Sequence, residues 1–227
     1  LVGLAVAVVF VGLPMKALPF TDGAKWDQAR AKWGPLEMHK SLNYEWIRYN
    51  YTGYEEQPNW PEYSGIMDTM STVGADHGCG RAHYEYDASQ EKYGTTLAMM
   101  LLPYWTDGCI GSMEGLYFES SSTTPFHFLM ASELSANPSR PVTFPDPAVW
   151  RYLVNGDPQV LDQSVFDRGI EHMQLYGVKY YMAYTQFGIQ AAEARTDVLT
   201  EVARSGPWVV YKVAGTELAE GLSVLPY

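Results

Sequence analysis

Residues 164–213, SVFDRGIEHMQLYGVKYYMAYTQFGIQAAEARTDVLTEVARSGPWVVYKV, decide the fold. Ser164 followed by Asp167 reads as a capping box, and Phe166, Ile170 and Met173 share one helical face that Gly177 closes. Residues 178–184 then become β-rich, 197–204 read as a short helix, Ser205-Gly206-Pro207 as a turn, and 208–213 as another strand. Helices alternating with strands predict an α/β domain in which helices pack on a small sheet.

Working outward, residues 136–160 form a Pro-rich connection through Pro138, Pro141, Pro145, Pro147 and Pro158. Before it, residues 93–130 read as an apolar helix running into Pro103, a turn at 106–108, a strand at 116–119 and a second apolar segment after Pro125. This stretch gathers Trp105, Asp107, Glu114, Tyr117, Glu119 and His127 largely in loop, where polar and aromatic side chains more often bind than pack. Residues 81–86 read as a strand with Arg81, His83 and Glu85 on one face. That face is either solvated or turned toward the 93–130 residues. Pro61 opens a helix whose apolar face is Tyr63, Ile66, Met67, Met70 and Val73.

The 227 residues are 47% apolar and 14% aromatic, enough for a core, while a net charge of −11 opposes binding to a phosphate backbone. No nucleic-acid partner is expected. Residues 1–13 are uncharged and apolar, so 1–20 read as the end of a transmembrane helix and its exit, and 21–227 as the folded domain. Phe20, Trp26 and Trp33 suit an interfacial belt, and Trp26, Ala29 and Trp33 also fit an amphipathic helix. No GxSxG, P-loop, GxGxxG or HExxH motif is present, and no cofactor is expected. Asp76, His77 and His83 lack the spacing of a metal-ligand set, so no metal is expected. Glu114 and Glu119 are a candidate carboxylate pair for glycoside hydrolysis, although five residues of extended chain would turn them to opposite faces.

The sequences 93–95, 100–108 (MLLPYWTDG), 112–120 (SMEGLYFES) and 123–129 (TTPFHFL), with HMQLYGVKYY at 172–181 and WVVYKV at 208–213, resemble bacterial integral-membrane proteins of the GT-C glycosyltransferase and YfhO-like type. The resemblance implies an extracytoplasmic accessory domain at the cell membrane that binds or orients a glycan or a polyprenyl-phosphate-linked sugar in envelope assembly. A noncatalytic carbohydrate-binding module is the alternative. On that reading Arg81, Glu85, Trp105, Asp107, Glu114, Tyr117, Glu119 and His127 face the sugar, through ring faces and carboxylates that accept from hydroxyls. An even pair of cysteines outside the cytoplasm favours a Cys79–Cys109 disulfide.

Overall fold

The computed structural model describes Gly3 and residues 30–33, 36–39, 54–55, 57–114, 124–138 and 161–216. The chain divides into two compact units, Leu1–Pro58 and Asn59–Tyr227. In the first, β1 (Arg30–Trp33) and β2 (Leu36–His39) pair antiparallel with Trp33 opposite Leu36. Trp33 therefore belongs to a hairpin and not to an amphipathic helix. Trp26 and Ala29 lie outside the described residues, as do Phe20 and most of the Pro-rich connection, residues 139–160.

The expectation of a domain led by a transmembrane helix is corrected. No helix among the described residues is long and apolar enough to cross a membrane. The longest described helix has 18 residues and carries Glu62, Asp68 and Asp76, whereas a span needs about 20 apolar ones. Apart from Gly3, residues 1–20 lie outside the described set.

The second unit is a mixed α/β domain. Its elements run α1 (Trp60–His77), β3 (Gly80–Tyr84), two 3-10 segments (Ala88–Tyr93 and Ala98–Leu101), α2 (Leu102–Trp105), β4 (Ile110–Ser112) and α3 (Thr124–Leu134). There follow α4 (Gln163–Leu175), β5 (Val178–Ala183), α5 (Gln186–Glu193), β6 (Leu199–Ser205) and β7 (Trp208–Val213). The five strands are ordered β4-β3-β5-β7-β6, with β4, β3 and β5 mutually parallel and β7 antiparallel to both β5 and β6.

Local chemistry explains most of these elements. Pro61 occupies the first turn of α1, where its missing N–H costs nothing. The side chain of Asp162 caps α4 by accepting from Ser164 N at 2.9 Å and Val165 N at 3.1 Å, so the cap lies two residues before the predicted capping box. The predicted helix before Pro103 is broken into 3-10 turns, because Gly94 takes φ 103° and ends the first of them. The predicted helix at 197–204 is instead strand β6. Ser205 pairs with Trp208 across the turn, and this hairpin pairing outweighs a weak helical preference.

One face of the sheet is covered by α3, α4 and α5, through Met130, Leu134, Phe166, Ile170, Met173 and Ala192 packed on Tyr181, Val209, Tyr211 and Val213. Alternation turns Trp208 and Val210 to the other face, where the Trp208 indole N–H donates to the Tyr93 hydroxyl at 3.0 Å. Helix α1 covers this side, its buried row being Tyr63, Ile66, Met67, Met70 and Val73.

Helices α3 and α4 cross where Gly169 has no side chain. A Cβ there would meet Leu134 Cδ2 at 2.6 Å, Leu134 Cγ at 2.7 Å and Glu133 Cβ at 3.1 Å. Gly169→Ala is therefore expected to lower the unfolding free energy by about 1–3 kcal/mol through overpacking, despite the better helix propensity of alanine. Urea denaturation showing equal or higher stability would contradict this close crossing.

Cys79 and Cys109 form a disulfide with Cα atoms 4.7 Å apart, immediately before β3 and β4. Gly80 N donates to Cys109 O at 3.0 Å, so the bridge and the first parallel hydrogen bond bind the same two strands. Helix α1 passes close by: a Cβ on Gly74 would lie 2.7 Å from Cys109 Sγ.

Candidate buried acid–base site

In an open α/β sheet, ligands characteristically meet the chain at the carboxyl ends of the parallel strands. Here those ends carry His83 and Tyr84 on β3, Glu85 just past β3, Glu114 just past β4, and Tyr184 and Thr185 just past β5. The parallel register sets His83 beside Tyr181 and Tyr84 beside Met182. From α3, His127 closes over this end of the sheet.

The result is a buried polar cluster. His83, His127 and Glu114 are 0%, 3% and 4% exposed. The Tyr84 hydroxyl donates to Glu114 Oε2. His127 Nε2 lies 3.4 Å from the same oxygen, and the rings of His83 and His127 are 5.1 Å apart. Burial pushes the His83 pKa well below its ordinary value, and the neighbouring His127 pushes it the same way. Burial also lowers the pKa of His127, against the pull of Glu114. Burial first, and then the adjacent Glu114 carboxylate, raise that of Tyr84. At neutral pH both imidazoles are uncharged, and Tyr84 keeps its proton to donate.

Six buried side-chain polar atoms lack a hydrogen-bond partner among the described residues. Three of them are ring nitrogens of this cluster: both nitrogens of His83 and Nδ1 of His127. Each unpaired buried group costs roughly 1–3 kcal/mol, so their concentration at one place makes this cluster the candidate site.

Glu85 is equally buried but turned to another task. Its Oε2 accepts from Tyr184 N and Thr185 N, each at 2.8 Å, while Oε1 accepts from the Thr185 hydroxyl. Thr185 in turn caps α5 by accepting from Gly188 N at 3.2 Å. A Cβ at Gly188 would collide with Glu85 Oε2, so glycine is required for the carboxylate to reach the helix start. Burial dominates over these hydrogen bonds and pushes the Glu85 pKa up to about 7.

Of the eight sequence candidates, the structure joins Glu114 to His127 and disperses most others. Arg81 is half-buried and donates to Tyr176 O at 3.0 Å. Trp105 packs against Trp60 and Tyr63, with ring centroids 5.3 and 6.3 Å away, in an aromatic group beside α1. Asp107 is exposed on its turn at φ 50°. Tyr117 and Glu119 lie outside the described residues. Tyr84 was not among the candidates, and of the two readings of the Arg81-His83-Glu85 face the solvated one is corrected, since His83 and Glu85 are buried. Strands in the parallel part of a sheet are covered on both faces, which buries His83 and Glu85. The available signal was the run His83-Tyr84-Glu85 at the end of a strand. Among the described residues, no group of three His, Cys, Asp or Glu is arranged to hold a metal ion.

Comparison with protein-family models, curated proteins and solved structures finds no match to this chain. The resemblance to GT-C glycosyltransferases and YfhO-like proteins is corrected accordingly, because no such family matches. The cell-membrane, extracytoplasmic localisation, the glycan or lipid-linked-sugar partner, the envelope-assembly role and the carbohydrate-binding alternative rested on it and are withdrawn. The Glu114/Glu119 hydrolase reading is also corrected. Glu114 is buried and committed to Tyr84 and His127, which leaves it no face toward a bulky glycoside.

Proposed function

We propose that this domain carries an acid–base site that moves a proton on a small polar substrate, with His127 as the base. Glu114 lies against His127 Nε2 and orients the ring, leaving the buried Nδ1 lone pair without a hydrogen-bond partner among the described residues. Tyr84 holds the carboxylate, and His83 supplies a second neutral imidazole able to donate from one nitrogen and accept at the other. The observation that carries this reading is the set of three unpartnered ring nitrogens beside a carboxylate that is itself hydrogen-bonded. A base nitrogen oriented from its far side by a carboxylate is the arrangement that activates imidazole in proton transfer. The 3.4 Å separation between His127 and Glu114 is long for a hydrogen bond, as such contacts often are before substrate binds.

A general proton-abstraction probe, 5-nitrobenzisoxazole, tests the site without knowledge of the natural substrate. The protein is expected to open this ring faster than free imidazole at equal concentration. His127→Ala should lower the rate on the order of tenfold or more, with circular dichroism unchanged. Because burial lowers the pKa of His127, the rate should be flat near neutrality and fall on the acid side with a midpoint below 6.5. A rate equal to that of free imidazole, or unaffected by His127→Ala, would sink the proposal.

A further inference from the structure

At the start of β5, the end remote from Thr185, a groove of about 690 Å³ is lined by His77, Lys179, Thr200, Val202, Lys212 and the turn 213–216. No carboxylate is among these lining residues, in a chain whose net charge is −11. Lys179 is held in place. Its stem crosses the Gly78-Cys79-Gly80 turn so closely that a Cβ on Gly80 would lie 2.8 Å from Lys179 Cδ and 2.9 Å from its Cβ. Its ammonium donates to Gly78 O at 3.1 Å and Cys79 O at 3.3 Å, which uses two of its three N–H groups. Lys212 lies on the adjacent strand, paired with Tyr180 of β5 and Thr200 of β6; it is exposed and has no ion pair among the described residues. Val202 and Ala214 add an apolar portion to the lining.

We propose that this groove binds a phosphomonoester, with its oxygens at Lys179 and Lys212 and its organic part over Val202 and Ala214. A phosphomonoester carries close to two negative charges at neutral pH, which matches two lysines acting as point charges. A carboxylate carries one, and its planar geometry is better met by an arginine fork. The glycine slot lowers the ordering cost of Lys179 by fixing its stem before a ligand arrives.

Amide-resolved NMR titration of the full chain with phenyl phosphate, inorganic phosphate and benzoate tests the assignment. Phenyl phosphate is expected to give saturable shifts centred on residues 77, 179, 200 and 212–216, to bind more tightly than either other probe, and to weaken as salt is raised. Lys212→Met changes an exposed residue and should keep the unliganded spectrum while weakening phenyl phosphate about tenfold, the loss of one charge-assisted hydrogen bond. Absence of saturation, shifts centred elsewhere, or affinity unchanged in both Lys212→Met and Lys179→Met would overturn the proposal. Benzoate binding as tightly as phenyl phosphate would overturn the choice of phosphate.

Discussion

Reduction of Cys79–Cys109, or its replacement by two alanines, is expected to lower the unfolding free energy by about 3–4 kcal/mol. The bridge closes a loop of sequence separation 30, and the lost constraint on the unfolded chain is of this size on the loop-entropy account. The effect should reach the acid–base cluster as well, because the bridge ties β3, which carries His83 and Tyr84, to β4, which leads into Glu114. Urea melts with and without reductant measure the first part. Histidine ring NMR signals before and after reduction measure the second, with those of His83 and His127 expected to move. An unfolding free energy unchanged by reduction, or two alkylatable thiols in the unreduced protein, would contradict the bond's role.

Glu85→Gln is expected to gain about 3 kcal/mol of stability relative to the parent chain as pH rises from 4.5 to 7. The folded-state pKa of Glu85 is raised from its ordinary 4.5 to about 7. Between these values the unfolded chain releases a proton that the folded chain retains, so the stability contributed by the protonated group is full below 4.5 and lost by about 7. The size follows from 1.36 kcal/mol per pKa unit. Glutamine resembles the protonated acid: its oxygen accepts from the Tyr184 and Thr185 amides and its NH2 can donate to the Thr185 hydroxyl. The comparison must be the difference between the two proteins, since His83 and His127 act with the opposite sign. Their folded pKa values are lowered, so they cost stability as pH falls below about 6.5. A difference that stays constant from pH 4.5 to 7 would show that the three hydrogen bonds, and not burial, set the charge of Glu85.

Much of the layered fold is readable in the residues because local period and packing agree. The β-rich run 208–213 and the face formed by Phe166, Ile170 and Met173 appear in the structure as β7 and the buried side of α4. Strand β6 was misread because its identity is supplied by β7, whereas Asp197 and the short run after it favour a helix only weakly. Helix α5 was not anticipated, since its start depends on Glu85 reaching Thr185 across 100 residues. The site shows the same division. Glu114 and His127 belong to one noticeable stretch, but alternation in β3 tells which residues share a face and not whether anything covers it. The partner strand β5 and the covering helix α3 come from far along the chain. Trp105 and Asp107 were grouped by proximity in sequence and Arg81 by its place on a strand face, and their side chains serve the α1 aromatics, solvent and Tyr176.

The strand order leaves β4 and β6 as the outer rows of the sheet among the described residues, and unpaired backbone groups there are potential templates for joining a second chain. Both rows are poor templates. Strand β4 has only three residues and is anchored at its start by the disulfide. Strand β6 is longer, but its register slips between Glu201 and Ala203, and a bulge of this kind bends the ladder that an incoming strand would need to follow. It also displays Glu201 paired with Arg204 at 2.6 Å, and Arg204 reaches Glu193 at 3.5 Å. A strand docking alongside would have to strip water from those charges while matching a broken register. The fold thus resists extending its sheet from one molecule into the next, without the help of a covering subunit.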